Sequence, residues 1–210
     1  MKPRNPFYVT GYGGPKYFCD RVTELAKLRA AIDNGRNVTL LAARRMGKTG
    51  LIHHLFNALA YSDVPTIYVD IFATQNLVEF TKRFASAVIG SLDTDFNRAL
   101  KAATRFFKSF RPGVTIDPVT GAQSYSFGLQ PSQTEATLKE CFDYLAQRGP
   151  CVVAIDEFQQ IGEYPETGTE ALLRSYVQFL PDVRFIFAGS RHHLMTEMFS
   201  SAKRPFYNST

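Results

Sequence analysis

Cysteine is scarce in this 210-residue sequence, where it occurs three times, at Cys19, Cys141 and Cys151. These cysteines are far apart and form no CxxC pair, so they indicate neither a disulfide framework nor a cysteine-rich zinc site. Long apolar runs are also missing: the longest span about six residues, whereas a membrane-spanning helix needs about 20. No apolar stretch follows Met1-Lys2, so no secretory signal is expected. We therefore expect a soluble protein of a reducing cytoplasm, with no membrane partner.

Acidic residues are missing from one stretch, 98–111, which carries the whole charge excess. The chain has 24 Lys and Arg against 19 Asp and Glu, and the five basic residues of this stretch account for the net charge of +5. Four of them are spaced 3, 4 and 3 residues apart and would share one helix face: Arg98, Lys101, Arg105 and Lys108. Such a face would contact the phosphate backbone of a nucleic acid, or it is a solvated face whose neighbouring aromatics enter the core.

Apolar residues make up 45% of the chain and charged residues 20%, a globular balance that excludes a disordered tail, a fibre and a coiled-coil rod. Short apolar runs alternate with helical periods, and a turn signal separates two alternating segments, which predicts a hairpin over 112–129. The predicted strands cover 37–42, 65–72, 151–156 and 184–189. The predicted helices cover 21–34, 48–60, 76–92, 95–110 and 191–200, with two more that begin at the capping patterns of 132–135 and 167–170. Continuous apolar strands between helices predict an α/β fold with a parallel sheet covered on both faces.

The loop after the first predicted strand, residues 42–49 (AARRMGKT), fits the phosphate-binding pattern GxxxxGK[ST] except at its first position. Ala42 replaces the first glycine, where the loop only has to begin its turn. Gly47, where the backbone comes closest to a polyphosphate, is present. In a phosphate-binding loop of this pattern, Lys48 would bridge the β- and γ-phosphates of the nucleotide, and the Thr49 hydroxyl would bind Mg²⁺. The alternative is an ordinary basic loop at a helix start.

The third predicted strand ends in two acids, in residues 151–157 (CVVAIDE), which is typical of a Walker B strand. At the carboxyl edge of a parallel sheet Asp156 would lie beside the phosphate loop and hold Mg²⁺ through water. Glu157 would polarise a water molecule for attack on the γ-phosphorus. The alternative is that both acids only end a strand and start a loop.

Four segments in order resemble the archaeal-type ATPases of prokaryotes, which belong to the P-loop AAA+/STAND group. These segments are 18–25 (FCDRVTEL), 44–49 (RRMGKT), 156–159 (DEFQ) and 188–190 (AGS). The resemblance implies a three-layer P-loop NTPase core, with the strand before Ser190 lying between the strands of the two Walker motifs. It divides the chain into an adenine-proximal segment with a helix, 1–36, and an ATPase core, 37–210, with the hairpin as an insertion. Members of this family continue into a helical lid, so we expect this chain to hold the core without that lid.

The resemblance also implies Mg-dependent ATP binding and hydrolysis, with ATP and Mg²⁺ as ligands. Glu157 and Lys48 would be catalytic, Thr49 and Asp156 would hold the metal, and Ser190 would sense the γ-phosphate. The expected nucleotide-binding residues are Arg21, Arg45, Met46, Gly47, Lys48, Thr49 and Gly50. The sequence does not decide whether the protein forms a homo-oligomer. Arg44 or Arg45 would face either solvent or a neighbouring subunit.

Other functions share these motifs. One is a nucleotide-switched scaffold with little turnover, and another is a nucleic-acid-associated ATPase of a mobile or defence element. A small-molecule kinase fits the paired acids less well than water activation does. The sequence leaves the roles of two side chains undecided. Arg191 would either reach a phosphate or be an ordinary first-turn arginine. Gln159 would orient the water molecule, contact Ser190 or do neither.

Overall fold

A computed structural model describes residues 11–92, 111–116 and 123–210. Its α-helices are α1 (Val22–Asp33), α2 (Lys48–Leu59), α3 (Leu77–Leu92), α4 (Thr134–Arg148), α5 (Thr169–Val177) and α6 (His192–Ser200). Its strands are β1 (Val38–Leu41), β2 (Thr66–Asp70), β3 (Arg111–Ile116), β4 (Gln123–Gly128), β5 (Cys151–Asp156) and β6 (Val183–Gly189). Within these ranges no helix has the length and apolar character to cross a bilayer. The predicted helix over 95–110 and the basic face on it lie outside the described residues.

Four parallel strands form the main sheet in the order β1-β6-β5-β2. The strand before Ser190 therefore lies between the strands that precede the two Walker motifs, as the resemblance implied. The register pairs Leu41 with Gly189 and Asp70 with Asp156, so the carboxyl ends of neighbouring strands meet at one edge. This edge is where ligands bind in open α/β sheets. The predicted α/β fold with a parallel sheet is confirmed.

Helices cover both faces of this sheet because the central strands are apolar on both sides. Val152 and Ala154 of β5 pack in one cluster with residues of α1 and α2. Val153 and Ile155 point the other way, into a larger cluster with residues of α3, α4, α5 and α6. Alternate side chains of a strand point to opposite faces, so a continuous apolar run becomes the middle layer of three. The core thereby fixes the strand ends that carry the polar side chains of the site.

The predicted hairpin is present as the antiparallel pair β3–β4, which forms a separate two-stranded sheet. Its strands lie within one residue of the predicted limits, and β4 runs next to α3. The division of the chain into 1–36 and 37–210 stays a prediction.

The predicted side-chain caps are wrong. Helix α4 begins at Thr134, not at the predicted Ser132, and a 3₁₀ turn over Pro131–Gln133 leads into it without a capping hydrogen bond. Helix α5 has Gly168 at its N-cap, with φ 84°, rather than Thr167. Helix α1, for which no capping pattern was predicted, has Arg21 at its N-cap, in the left-handed region. The residue types of a four-residue cap pattern do not determine the backbone conformation of the segment before the helix. That conformation decides which side chain can reach the free N–H groups of the first turn.

Candidate functional site

The loop between β1 and α2 ends in a bare helix N-terminus. Gly47 is the N-cap of α2 with φ 73°, and no side chain caps this helix. Arg45 also has positive φ, at 64°, so the loop curls back before the helix starts. The first N–H groups of a helix have no partner inside it, and here no side chain of the described residues caps them. Curled backbone followed by a free helix N-terminus is the geometry that binds phosphate.

Ala42 fits the first position of this loop. Its φ is not positive, so its methyl group causes no left-handed strain. Its N–H donates to the Gly189 carbonyl oxygen at 3.5 Å, which joins the end of β1 to the end of β6. The departure from the glycine of the pattern is therefore tolerated by the backbone.

Lys48 is buried at the base of the loop and faces the second acid of the Walker B segment. Its side chain is 6% exposed, and its Nζ lies 3.5 Å from Glu157 Oε1. An ammonium group is costly to bury unless an anion compensates its charge. The carboxylate supplies part of that charge, and the neighbouring free N–H groups mark the place where a second anion would lie.

Asp156 collects hydrogen bonds at the end of β5 and is 3% exposed. Thr49 Oγ1 donates to its Oδ2 at 2.6 Å, and the Tyr68 hydroxyl donates to the same oxygen at 2.9 Å. Burial, followed by the charge of Asp156, raises the pKa of Tyr68 well above its ordinary value, so the phenol keeps its proton. Tyr68 on β2 thus fixes the carboxylate from the neighbouring strand, on the face of the sheet that α2 covers.

Glu157 stands in the left-handed region at φ 58°, which is uncommon for a residue other than glycine. Its Oε2 accepts hydrogen bonds from Ser190 Oγ and Gln159 Nε2, both at 2.6 Å. Burial alone would raise the pKa of Glu157, but these two bonds and the charge of Lys48 together outweigh burial and lower that pKa below its ordinary value. The carboxylate is therefore ionised at neutral pH and can accept a proton.

A cleft of about 1040 Å³ opens above this group of side chains. Its lining comprises Gly11, Arg44, Arg45, Gly47, Lys48, Thr49, Gly50, Phe72 and Glu157. A smaller pocket of about 240 Å³ shares Gly11, Gly47 and Gly50 with the cleft and extends to Tyr12, Phe18, Arg21 and Met46. The two spaces thus meet at the start of α2, and together they have room for a phosphate chain and a flat ring.

Aromatic rings form one wall of the smaller pocket. Phe18 stacks on His54 with ring centroids 4.2 Å apart and planes 14° from parallel. The Tyr12 hydroxyl is hydrogen-bonded to His54 Nδ1 at 2.8 Å. Arg21 donates to the carbonyl oxygen of Met46, so the segment before α1 is tied to the loop between β1 and α2. This contact places the 18–25 segment against the loop.

The structure brings the residues predicted for the site together at one edge of the sheet. All of them line the two spaces or contact a residue that does, including Asp156 through Thr49 and Ser190 through Glu157. Arg191 does not take part, because its guanidinium pairs with Glu163. Gln159 does take part, since its side chain donates to the Glu157 carboxylate.

Sequence reasoning missed Tyr68 and the contribution of Tyr12 and His54. A tyrosine inside the apolar strand next to the Walker B strand is a signal for Tyr68, because such a hydroxyl needs a partner when buried. For Tyr12 and His54 the sequence holds no comparable signal, since one lies in an irregular segment and the other on a helix.

No protein-family profile and no curated protein matches the chain. Solved structures do match it. A Walker-type ATPase of Pyrococcus abyssi superposes with a TM-score of 0.63 at 21% identity, over 98% of this chain and 55% of that one. Cdc6p of Pyrobaculum aerophilum superposes with a TM-score of 0.54 at 16% identity, over 98% of this chain and 46% of its own length.

This chain therefore spans about half the length of the proteins it matches. At such identities the likeness concerns the fold, and it extends over nearly all of the chain. The parallel sheet order, the bare helix N-terminus after β1 and the acids after β5 agree with it. The chain has the fold of Walker-type P-loop ATPases.

Proposed function

We propose that this chain binds ATP with Mg²⁺ and hydrolyses it, as a core similar to that of the archaeal-type ATPases. One observation carries the proposal: Lys48 and Thr49, at the start of α2, face Glu157 and Asp156, at the end of β5. A cation, a hydroxyl and two carboxylates beside a free helix N-terminus form a set suited to a metal-bound polyphosphate.

The phosphates would lie across the start of α2. Backbone N–H groups of the loop and the Lys48 ammonium would bind their oxygens, and the nearby Arg45 would add positive potential. The base would enter the smaller pocket, beside Phe18 and Arg21 and above Met46 and Gly50. Among the described residues no carboxylate lines that pocket, and a carboxylate is the side chain that can accept both N–H donors of guanine at once, which favours adenine.

The residues present fit Mg²⁺. Thr49 Oγ1 and Asp156 Oδ2 are oxygen donors only 2.6 Å apart, and oxygen is the ligand type that Mg²⁺ prefers. No cluster of three or more His, Cys, Asp or Glu residues able to hold a metal occurs in the described part of the chain. The ion would therefore depend on phosphate oxygens and water for its other ligands, as is usual for Mg²⁺ bound with a nucleotide. When bound, it neutralises phosphate charge.

Hydrolysis would need one proton acceptor, and Glu157 meets that need. Its carboxylate is ionised and borders the cleft next to Lys48. It would take a proton from water as the water oxygen bonds to the γ-phosphorus, while the bond from that phosphorus to the β–γ bridging oxygen breaks. The bridging oxygen keeps the electron pair and leaves with ADP. Lys48 and Ser190 would stabilise charge and geometry around the transferred group.

Phosphate release from ATP tests this proposal. With Mg²⁺ the chain is expected to release phosphate steadily, and EDTA is expected to reduce the release to background, because the charge on the phosphates is then uncompensated. Arg191→Ala serves as control: Arg191 pairs with Glu163 outside the cleft, so this variant should match the wild type. A folded wild-type chain that binds ATP but releases no more phosphate than its EDTA sample would contradict hydrolysis and favour a nucleotide-switched scaffold.

A further inference from the structure

We propose that Gln159 is a positioning residue, which fixes the Glu157 carboxylate so that one chosen oxygen meets the attacking water. This inference rests on the proposed hydrolysis of ATP and adds a residue to it. Gln159 lies in the 3₁₀ helix Phe158–Glu163 that follows Glu157, and it is 3% exposed. Its Nε2 donates to Glu157 Oε2 at 2.6 Å. An ionised carboxylate only accepts hydrogen bonds, so the amide nitrogen must be the atom that faces it.

The two oxygens of Glu157 have different surroundings. Oε2 accepts from both Gln159 and Ser190, which approach from the 3₁₀ helix and from the end of β6. Oε1 faces Lys48 at 3.5 Å. A nucleotide that draws the ammonium to its phosphates would release Oε1, while the two neutral donors keep holding Oε2. The carboxylate then cannot rotate freely, and Oε1 is the oxygen that accepts the proton of the water.

The other end of the Gln159 amide supports this role. Its Oε1 is buried and has no hydrogen-bond partner among the described residues. It also lies against the backbone of β6, because a Cβ added to Gly189 would come within 2.5 Å of it. Burying an unpaired carbonyl oxygen opposes folding, so an apolar side chain of the same length would suit the core better. What Gln159 contributes is its hydrogen bond to Glu157. A side chain that lowers stability but makes such a bond is what we expect of a residue that serves function.

Gln159→Met separates positioning from structure, since methionine matches the length of glutamine and cannot hold the carboxylate. We expect kcat for ATP hydrolysis to fall roughly tenfold to a hundredfold, as for other losses of orientation at a reacting group. The KM for ATP should stay within about twofold of wild type, because no contact to the nucleotide is removed. The melting temperature should be unchanged or higher. Gln160→Met is the matched control, since Gln160 is half-buried in the same 3₁₀ helix and its side chain makes no hydrogen bond to Glu157 in the described structure.

A double-mutant cycle completes the test. In a Glu157→Gln background, Gln159→Met should lower kcat no further, because the carboxylate on which it acts is already gone. An unchanged kcat in Gln159→Met, or an equal loss in both backgrounds, overturns the inference and leaves the ATPase proposal standing. If Gln159→Met has a lower melting temperature than the wild type, Gln159→Asn decides, because its amide is one methylene too short to reach Glu157. A wild-type kcat in Gln159→Asn overturns the inference. A fall in its kcat similar to that of Gln159→Met supports the inference. Absence of turnover in the wild type overturns the proposed function, and the inference with it.

Discussion

Replacing Lys48 by alanine is expected to abolish tight ATP binding. The Lys48 ammonium is 6% exposed at the start of α2, where the only counter-charge within 4.0 Å in the described structure is Glu157. A phosphate chain in the cleft would pair with this buried cation, and removing one partner of a buried charge pair costs about 2–5 kcal/mol. The dissociation constant for ATP should therefore rise roughly 30- to 4000-fold. Fluorescence titration with an ATP analogue, at fixed Mg²⁺, measures this change.

Lys139→Ala is the matched control for this variant. Lys139 is exposed on α4 and pairs with Asp143 of the same helix, on the face of the sheet opposite α2. It should bind ATP as the wild type does. If Lys48→Ala remains folded and binds ATP within a few-fold of wild type, the phosphates do not lie across the start of α2 and the assignment of the loop is wrong.

Replacing Glu157 by glutamine is expected to separate binding from turnover. The side chain keeps its size and can still be held by Ser190, but it loses the charge that accepts a proton. Loss of a general base typically lowers kcat by about 10²- to 10⁴-fold. ATP affinity should be kept or improved, since one negative charge beside the phosphates is gone. Phosphate release under saturating ATP gives kcat, and the same fluorescence titration gives the affinity.

The control for this second variant is Glu135→Gln, an exposed glutamate in the first turn of α4. It should leave both kcat and affinity unchanged. Full turnover by Glu157→Gln would show that another group accepts the proton. Glu157 would then not be the general base, and Gln159 would have no base to position.

The sequence predicted the sheet and the polar edge well because both depend on strong local patterns. The run 151–156 is apolar at five successive positions and then acidic. Residue type alone therefore predicts a strand that is buried on both faces and ends with an acid at the carboxyl edge of the sheet. The loop 42–49 lies between a strand and a helix, which fixes where its free N–H groups point. The strand order followed from the resemblance, since no pattern inside the chain determines which strands become neighbours.

The sequence could not predict contacts that depend on the tertiary path of the chain. Tyr68 meets Asp156 only because β2 and β5 are neighbours in register. His54 meets Phe18 only because the irregular N-terminal segment folds over α2. By sequence, Arg191 either reaches a phosphate or is an ordinary first-turn arginine. Its ion pair with Glu163 of the 3₁₀ helix keeps it out of the cleft. In each case the deciding partner is far away along the chain.

Calorimetric titration of the wild-type chain with ATP, in the presence of Mg²⁺, tests whether the cleft is a nucleotide site at all. We predict saturable binding of one ATP per chain, at a site for which ADP competes, because the loop before α2, the Thr49 and Asp156 oxygens and the smaller pocket, which we propose for phosphate, metal and base, already lie together. A folded chain that shows no saturable heat of ATP binding would contradict this prediction. The proposed roles of Lys48, Glu157 and Gln159 would fall with it, since each of them begins with a nucleotide in that cleft.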